Sequence, residues 1–297
     1  MRILALNAGS SSIKFAVFDG HDRKLAGKLS GIGEKPCLEV GDVQEVWEDT
    51  DAPTLILKLL PWIEERLGGT ILDAVGHRVV HGGREFSGPV LVDPDILDRI
   101  EALTPLAPLH QPASVAPMRR IAQDRPDLPQ VACFDTAFHH HLTPPVSRYP
   151  LPRKLEEDFG IRRYGFHGLS YEAIADKLAA LKDGAEQDRI IVAHLGSGAS
   201  LCAMAGLRSV DTSMGFTALD GIMMATRPGT LDPGILLYLL QEKGFLPSDL
   251  EDLLYHQSGL LGVSGISGDV AELIASDELS ASEAIELYTF SLSLIHI

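Results

Sequence analysis

The residues with the clearest chemical potential lie in a short polar loop, Asn7-Ala-Gly-Ser-Ser-Ser12, which is followed by Lys14. This loop offers backbone N–H groups, three hydroxyls and an ammonium group at close quarters. Those are the groups that hold a phosphate. It is not a Walker A loop, because that motif needs a second glycine and opens a helix. An ordinary serine-rich turn remains the alternative.

A second stretch of the same kind begins at Arg189. Residues 189–206 align with residues 2–19 without a gap, and Asn7 then lies over His194. Self-similar units near the start of each half indicate a duplicated domain, with chance similarity of two hairpins as the alternative. Two such loops facing each other would suit a nucleotide on one side and a phosphoryl acceptor on the other.

Four further side chains stand out by their surroundings. Arg78 lies among apolar residues, so it forms either a structural salt bridge or a site for a carboxylate or phosphate. Asp135 ends a predicted strand, where open α/β sheets place ligand chemistry; a helix cap is the alternative. His167 lies beside glycines and is either a site residue or a core or capping histidine. Arg227 lies in a Gly/Pro/Thr-rich segment that is typical of ligand-lining loops.

The hydrophobic pattern predicts α/β elements that hold these residues. Apolar runs on either side of each glycine-serine loop predict two β-hairpins. Buried strands are predicted from residue 73 and from residue 130, and four prolines in residues 144–153 indicate a linker. Helices are predicted over residues 54–67, on both sides of a proline-rich segment within 93–122, and over 170–181, 235–243 and 247–257, with a final helix after residue 269.

Histidine and cysteine patterns give no strong metal signal. His139–His141 are consecutive, and neighbours on a helix point in different directions, so we expect packing or solvated roles for them. The three cysteines, Cys37, Cys133 and Cys202, are widely spaced without a C-x-x-C pair. This usage fits the reducing cytoplasm.

Composition narrows the class of protein. The 297 residues suffice for two domains, and 45% hydrophobic content predicts packed cores. A net charge of −16 argues against nucleic acid and anionic membranes as partners. No apolar run reaches the length of a membrane span or signal sequence. We therefore expect a soluble cytoplasmic protein.

Taken together, the motifs resemble the acetate kinase family from Arg2 to about Ser291. N-x-G-S-S-S-x-K at residues 7–14 and H-L-G-x-G-x-S at residues 194–200 match its two signatures. The segments HRVVHGG, FDTAFH, RYGFHG, SMGFT, RPGTLDPG and SGLLGVSGISGD complete the resemblance. It implies an α/β fold of two ribonuclease-H-like domains, duplicated and actin-like, around a central cleft, usually as a homodimer. It also implies reversible transfer of the γ-phosphoryl group of ATP to acetate with Mg²⁺ (or Mn²⁺), giving acetyl phosphate and ADP.

On this resemblance, the first domain is expected at residues 1–147 and the second, nucleotide-binding domain at residues 148–291. Members of the family are longer, so we expect the second domain to be incomplete and to expose sheet edge and apolar surface. The last six residues, 292–297, are what the DNA CTG TCT CTT ATA CAC ATC encodes. That is a transposon-type sequencing adapter, so we expect a non-native tail.

The resemblance also implies roles for individual residues. Asn7 would help to bind the metal, Arg78 would hold acetate or acetyl phosphate, and Asp135 would be the essential acidic residue. His167 and Arg227 would stabilise the transition state. Because acetate is already ionised at pH 7, we do not expect Asp135 to act as a strong base. The acetyl-methyl pocket would comprise Val80, Leu109, Phe166 and Ala218. The nucleotide would be bound by Ser10, Ser12, Lys14, His194, Leu195, Gly196, Ser197, Gly198, Asp269, Val270 and Ala271.

Three residues depart from the family pattern. Ser197 stands where many members have Asn, and Ala271 replaces an Arg often associated with the adenine site, which leaves nucleotide preference open. Ala218 stands where a Pro is common, and the smaller side chain could admit propionate, since one methylene discriminates by only ~1–3 kcal/mol. Propionate or butyrate kinase is therefore the alternative within the class. A non-catalytic actin-like nucleotide-binding protein and an inactive fragment are the alternatives outside it.

Overall fold

Each half of the chain is built on its own β-sheet. The computed structural model describes residues 1–9 and 11–293. These form two compact units, Met1–Ala137 and a second that begins at Phe138. The domain limits predicted at residues 147 and 291 remain a prediction, and residues 294–297 of the predicted tail lie outside the described residues.

The first unit contains an eight-stranded sheet with the order β5-β4-β3-β2-β1-β6-β8-β7. β1 pairs with β2 antiparallel and with β6 parallel, and β6 pairs with β8 parallel. The strands are β1 Arg2–Ala8, β2 Ser12–Asp19, β3 Asp22–Ser30, β4 Cys37–Val40, β5 Val43–Val46, β6 Ala74–Val79, β7 Val90–Leu91 and β8 Gln130–Phe134, and the helices are α1 Ala52–Arg66, α2 Pro94–Glu101 and α3 Gln111–Asp124.

The parallel register of β1, β6 and β8 sets the position of the candidate residues. Leu6 is level with His77, and Val79 is level with Phe134. Asn7, Arg78 and Asp135 consequently reach the carboxyl ends of three neighbouring parallel strands. This edge is where open α/β sheets bind their ligands.

Apolar packing of α1 against the sheet fixes that edge. α1 buries five aliphatic side chains in one cluster with residues of β1 and β2 such as Leu4 and Ile13. Each such burial contributes about 1.5–3 kcal/mol. The Asp51 carboxylate caps the helix by accepting a hydrogen bond from the Thr54 N–H at 2.9 Å. A second cluster stacks Phe134 on Phe86, with ring centroids 4.7 Å apart, immediately before Asp135.

The second unit contains an antiparallel three-stranded sheet with the order β11-β10-β9. In the described part of the chain β9 is an edge strand, and Ile191 and Leu195 on it are 58% and 56% exposed. Its strands are β9 Arg189–Leu195, β10 Ala199–Ala205 and β11 Arg208–Thr212, and its helices are α4 Arg153–Phe159, α5 Gly168–Leu181, α6 Pro233–Glu242, α7 Pro247–His256, α8 Gly259–Ser264, α9 Val270–Ile274 and α10 Leu279–Ser293.

Both predicted hairpins are present, but the gapless correspondence between them fails after the loop. Asn7 lies opposite Lys14 in the first hairpin, whereas His194 lies opposite Ser200 in the second. A gapless alignment would require Leu201 at that position. The physical reason is a tighter second turn, in which the N–H of Gly196 bonds to the carbonyl of Gly198 at 3.1 Å. The position of the lysine in the first hairpin is therefore taken by a serine in the second.

The other predicted elements largely match the structure. The predicted helices correspond to α1, α2, α3, α5, α6 and α7, with ends that shift by a few residues. The expectation of one final helix is wrong, because Asp269 caps a short α9 and a separate α10 follows. Strand β3 and helix α4 lacked a clear sequence pattern. No helix within residues 1–9 and 11–293 is long and apolar enough to cross a membrane.

Candidate active site

In the first unit, the guanidinium of Arg78 joins two other candidate residues. Its Nε donates to both carboxylate oxygens of Asp135 at 3.1 Å, and its Nη2 donates to Oδ2 at 2.5 Å. Its Nη1 donates to Oδ1 of Asn7 at 3.1 Å. The Asp135 side chain is 3% exposed, and that of Arg78 is 34% exposed. One cation thus fixes both oxygen-bearing side chains at the carboxyl edge of the sheet.

The two interpretations of Arg78 offered by the sequence are compatible. Burial opposes the charge of the guanidinium, but the charge of Asp135 and its hydrogen bonds prevail and raise the pKa of Arg78. A guanidinium has five N–H groups, and Asp135 and Asn7 engage three of them. The salt-bridge interpretation is confirmed, and two further N–H groups can serve an anionic ligand. Asp135 is engaged by Arg78 rather than by a helix N-terminus.

Lys14 and Ser12 lie on β2, the strand that pairs with the one carrying Asn7. Lys14 is exposed on β2 directly opposite Asn7, and side chains of an opposed pair lie on the same face of the sheet. Ser12 begins β2 and is half-buried. Ser10 lies outside the described residues. An ammonium group is therefore placed next to the amide of Asn7.

In the second unit, His167 is the centre of a hydrogen-bonded cluster. It precedes α5 with φ 58° and ψ 19°, a left-handed conformation that costs a residue with a Cβ about 1–2 kcal/mol. Strain of this kind tends to occur at functional sites. Its Nδ1 lies 2.8 Å from Oγ of Ser200. Its ring stacks on that of His194, with centroids 4.1 Å apart, and Nδ1 of His194 lies 2.9 Å from Oγ of Ser170.

Gly198 is where the side chains of His167 and Arg227 come together. A Cβ on Gly198 would lie 3.2 Å from Nη2 of Arg227 and 3.2 Å from Nε2 of His167. The absence of a side chain therefore keeps a small space open in front of both nitrogen atoms. Nη1 of Arg227 donates to the carbonyl of Ala218 at 2.9 Å, which fixes the other side of the guanidinium. Ala218, expected only as a pocket residue, thus also positions Arg227.

The glycine turn is tied to the segment that carries Arg227. His194 and Leu195 end β9, and residues 196–198 form the turn. The N–H of Ala225 donates to the carbonyl of Ser197 at 3.1 Å, and the N–H of Met224 donates to the carbonyl of Arg227 at 3.0 Å. The structure thus brings together His167, Arg227 and the turn, and the phosphate-binding role expected for them stays a prediction.

The other residues predicted to bind the nucleotide lie at the start of α9. Asp269 is exposed and caps α9, where its Oδ1 accepts hydrogen bonds from the N–H groups of Ala271 at 2.7 Å and Glu272 at 3.3 Å. Val270 and Ala271 form the first turn of α9. Their role toward a nucleotide stays a prediction.

The residues predicted for the acyl pocket are Val80 and Leu109 in the first unit and Phe166 and Ala218 in the second. Val80 follows β6, and Leu109 lies in the turn before α3; both are half-buried. Phe166 is buried and Ala218 is half-buried. The pocket that these four would form together stays a prediction.

The histidine triplet has a packing role, as predicted. Nε2 of His139 lies 3.1 Å from the carbonyl oxygen of Phe166, which can only accept, so this nitrogen donates. Nδ1 then accepts from the hydroxyl of Ser209 at 2.7 Å. His141 contacts the carbonyl of Ser209 at 2.8 Å. Burial lowers the pKa of His139 to about 4, which keeps this ring neutral.

Metal binding is compatible with the oxygen atoms of Asn7 and Asp135. No group of three His, Cys, Asp or Glu side chains suited to a metal ion occurs in residues 1–9 and 11–293. Carboxylate and amide oxygens are hard ligands, and Mg²⁺ in kinases usually binds to one or two carboxylates, substrate phosphates and water. The donor set therefore fits an ion that arrives with a nucleotide.

Sequence reasoning missed Ser200, Tyr171 and Ser170. Ser200 is the last residue of the H-L-G-x-G-x-S motif and lies opposite His194 in the hairpin. Tyr171 lies in the first turn of α5, four residues after His167. The motif and the short spacing were present in the sequence, but neither shows which atoms meet.

Comparisons with known proteins agree with this arrangement. The model of the acetokinase family matches residues 2–295. Acetate kinase from Rhodopseudomonas palustris is 50% identical over 98% of this chain and 76% of its own length. A propionate kinase structure from Francisella tularensis has a TM-score of 0.93 with 36% identity, covering 99% of this chain and 79% of its own. The Porphyromonas gingivalis acetate kinase structure has a TM-score of 0.90 with 33% identity, covering 99% and 78%. The predicted α/β fold class is confirmed.

Proposed function

The chain belongs to the acetokinase family, and from this we propose that it catalyses reversible transfer of the γ-phosphoryl group of ATP to acetate, giving acetyl phosphate and ADP. The observation that carries the proposal is the placement of Arg78 between Asn7 and Asp135 at the carboxyl edge of β1, β6 and β8. The guanidinium of Arg78 is held in place by these contacts, and two of its N–H groups remain for an anionic acceptor.

Arg78 is suited to the acceptor. A planar guanidinium binds a carboxylate through two N–H groups, and two remain after its contacts with Asp135 and Asn7. Acetate is ionised at neutral pH, so the nucleophile needs orientation more than deprotonation. In this account Asp135 orients Arg78 and does not serve as a strong base.

His167 and Arg227 are suited to the transferred phosphoryl group. Phosphoryl transfer passes through a loose transition state in which catalysis is positioning and charge stabilisation. Nε2 of His167 and Nη2 of Arg227 lie on the same small space at Gly198. Two N–H donors there would bond to the equatorial oxygens of the phosphoryl group. The turn at residues 196–198 would hold nucleotide phosphates through its backbone.

Asn7 and Asp135 would hold a divalent cation, Mg²⁺ or Mn²⁺, jointly with the nucleotide phosphates. When bound, the ion would neutralise phosphate charge. Lys14, opposite Asn7, would add a cation on the same face. The donor chemistry does not distinguish the two ions.

Propionate is the second candidate acceptor. The small side chain of Ala218 and the similarity to a propionate kinase structure both favour a pocket that tolerates one more methylene. Acetate and propionate would then be used with kcat/KM values that differ by only ~10–200-fold.

Self-association and location are also part of the proposal. We propose a homodimer, supported by α6, on which Ile235, Leu237, Tyr238 and Leu240 are all more than a third exposed. Light scattering of the purified chain tests this, and a monomer at micromolar concentration would contradict it.

Free thiols at Cys37, Cys133 and Cys202 support a cytoplasmic location. The net charge of −16 supports the absence of a nucleic acid partner.

Acyl-hydroxamate formation tests the proposed activity. The purified chain is incubated with Mg-ATP and acetate, propionate or butyrate in parallel. We expect turnover with acetate, a smaller rate with propionate, and loss of both in Arg227→Ala. Absence of turnover with every carboxylate would contradict the proposal.

A further inference from the structure

The buried hydroxyls of Tyr171 and Ser200 form a chain of hydrogen bonds that ends at His167. Oη of Tyr171 lies 2.5 Å from Oγ of Ser200, and this Oγ lies 2.8 Å from Nδ1 of His167. Tyr171 and Ser200 are both 0% exposed. Both side chains are therefore shielded from bulk solvent.

The direction of the hydrogen bonds follows from the partners of Tyr171. Its ring is packed against Phe138 and His139, at centroid distances of 6.4 and 5.7 Å. Within the described chain, Ser200 Oγ is the side-chain acceptor for its hydroxyl. A buried phenol that does not donate leaves its O–H unsatisfied, at a cost of about 1–3 kcal/mol. Burial also raises the pKa of Tyr171, so the hydroxyl keeps its proton. Tyr171 thus donates to Ser200.

The tautomer of His167 follows in turn. Ser200 has a single hydroxyl proton, and with Tyr171 donating to its oxygen that proton is directed to Nδ1 of His167. Nδ1 is then the acceptor, and Nε2 carries the N–H. Nε2 is the nitrogen that lies 3.2 Å from the Cβ position of Gly198, beside Nη2 of Arg227.

We propose that Tyr171 and Ser200 are positioning residues that hold His167 in the Nε2–H tautomer, so that it presents a hydrogen-bond donor to the phosphoryl group in transfer. The proposal deepens the proposed function and rests on it for the identity of the ligand. The tautomer itself does not depend on activity. The opposite tautomer would aim a lone pair at phosphate oxygens and would repel them.

Three variants test whether the hydroxyls of Tyr171 and Ser200 position His167 or only stabilise the fold. Tyr171→Phe and Ser200→Ala each remove one hydroxyl of the series. Ser209→Ala is the matched control, because Ser209 is also buried and also bonds to a histidine Nδ1, but to that of His139 and not to that of His167. We expect kcat to fall by roughly tenfold to hundredfold in the first two variants, with KM for acetate and ATP little changed, as for loss of a transition-state donor. Ser209→Ala keeps kcat.

Nitrogen-15 NMR of histidine-labelled protein measures the tautomer directly, with the signals of His167 identified by their loss in His167→Asn. We expect a pyrrole-type Nε2 and a pyridine-type Nδ1 in the unmodified chain, and a mixture of tautomers in Tyr171→Phe and Ser200→Ala. A pyrrole-type Nδ1 in the unmodified chain would overturn the proposal, even if a variant fails to fold. So would an unchanged tautomer together with unchanged kcat in both variants. An inactive chain with the expected tautomer would instead count against the proposed function.

Discussion

Arg78 and Asp135 form an ion pair in which Nε and Nη2 of the guanidinium donate to the carboxylate at distances of 2.5 to 3.1 Å. The pair joins the carboxyl ends of β6 and β8, which are neighbouring parallel strands. Asp135 is almost fully buried, whereas a third of the Arg78 side chain is exposed. The geometry therefore combines a fixed, buried anion with a cation that remains partly exposed.

Removal of one partner of this pair should affect stability as well as activity. Arg78→Ala leaves Asp135 buried without its cation, so we expect the free energy of unfolding to fall by about 3 kcal/mol. The double variant with Asp135→Ala should be less destabilised than the sum of the single variants, because the residues are in contact. Urea unfolding of the three variants measures this, and strict additivity would contradict the coupling.

Gly198→Ala should impair the candidate phosphoryl site without unfolding the chain. The new methyl group would lie 3.2 Å from Arg227 Nη2 and His167 Nε2, which is closer than ordinary contact, so both donors must move. We expect kcat to fall by roughly 100-fold, comparable to loss of one transition-state donor. Gly88→Ala is the control, since a Cβ there meets nothing within 4 Å. Equal kcat for the two variants would count against the role of the space at Gly198.

Ala218→Val should shift acyl preference toward acetate. A larger side chain narrows the predicted pocket, and discrimination against the extra methylene of propionate should rise by ~1–3 kcal/mol, or about 10–200-fold. The ratio of kcat/KM for acetate and propionate measures this. Ala205→Val, at an exposed position of β10, is the control. A ratio that is the same in both variants would remove Ala218 from the pocket.

The stability of the chain should fall in mild acid. Burial lowers the pKa of His77, His81 and His139 to about 4 in each case, from an ordinary value of 6.5. Between these values the unfolded chain binds more protons at these histidines than the folded chain, so their contribution to stability is unchanged above about pH 6.5 and is lost as pH falls toward 4. Each histidine contributes about 3 kcal/mol to this loss. Urea unfolding at pH 7.5 and 5 checks the sign; equal or greater stability at pH 5 would contradict it.

Local pattern was enough to predict many elements and several single residues of the site. Each glycine-serine hairpin follows from apolar runs and turn residues that are close in sequence. The contacts of Arg78 were not predictable in the same way, because Asn7 and Asp135 are 71 and 57 residues away. Only the strand order β1-β6-β8 brings them together, and that order depends on long-range pairing.

The hydrogen bonds that link Ser200 and Tyr171 to His167 show a second limit of prediction from sequence. The register of β9 and β10 depends on a turn that closes one residue earlier than in the first hairpin, and this places Ser200 opposite His194. The left-handed conformation of His167 also has no local signal, since that region favours glycine or asparagine. Neither feature follows from the apolar pattern of the sequence.

Acetyl phosphate formation, followed by phosphorus-31 NMR with Mg-ATP and acetate, tests the central claim most directly. The unmodified chain and Arg66→Ala, which changes an exposed arginine paired with Glu45, are compared with Arg78→Ala. We predict that the acetyl phosphate signal grows at the same rate in the first two proteins and is lost in Arg78→Ala. Acetyl phosphate formation by Arg78→Ala at the rate of the unmodified chain, or none by the unmodified chain, would contradict the account.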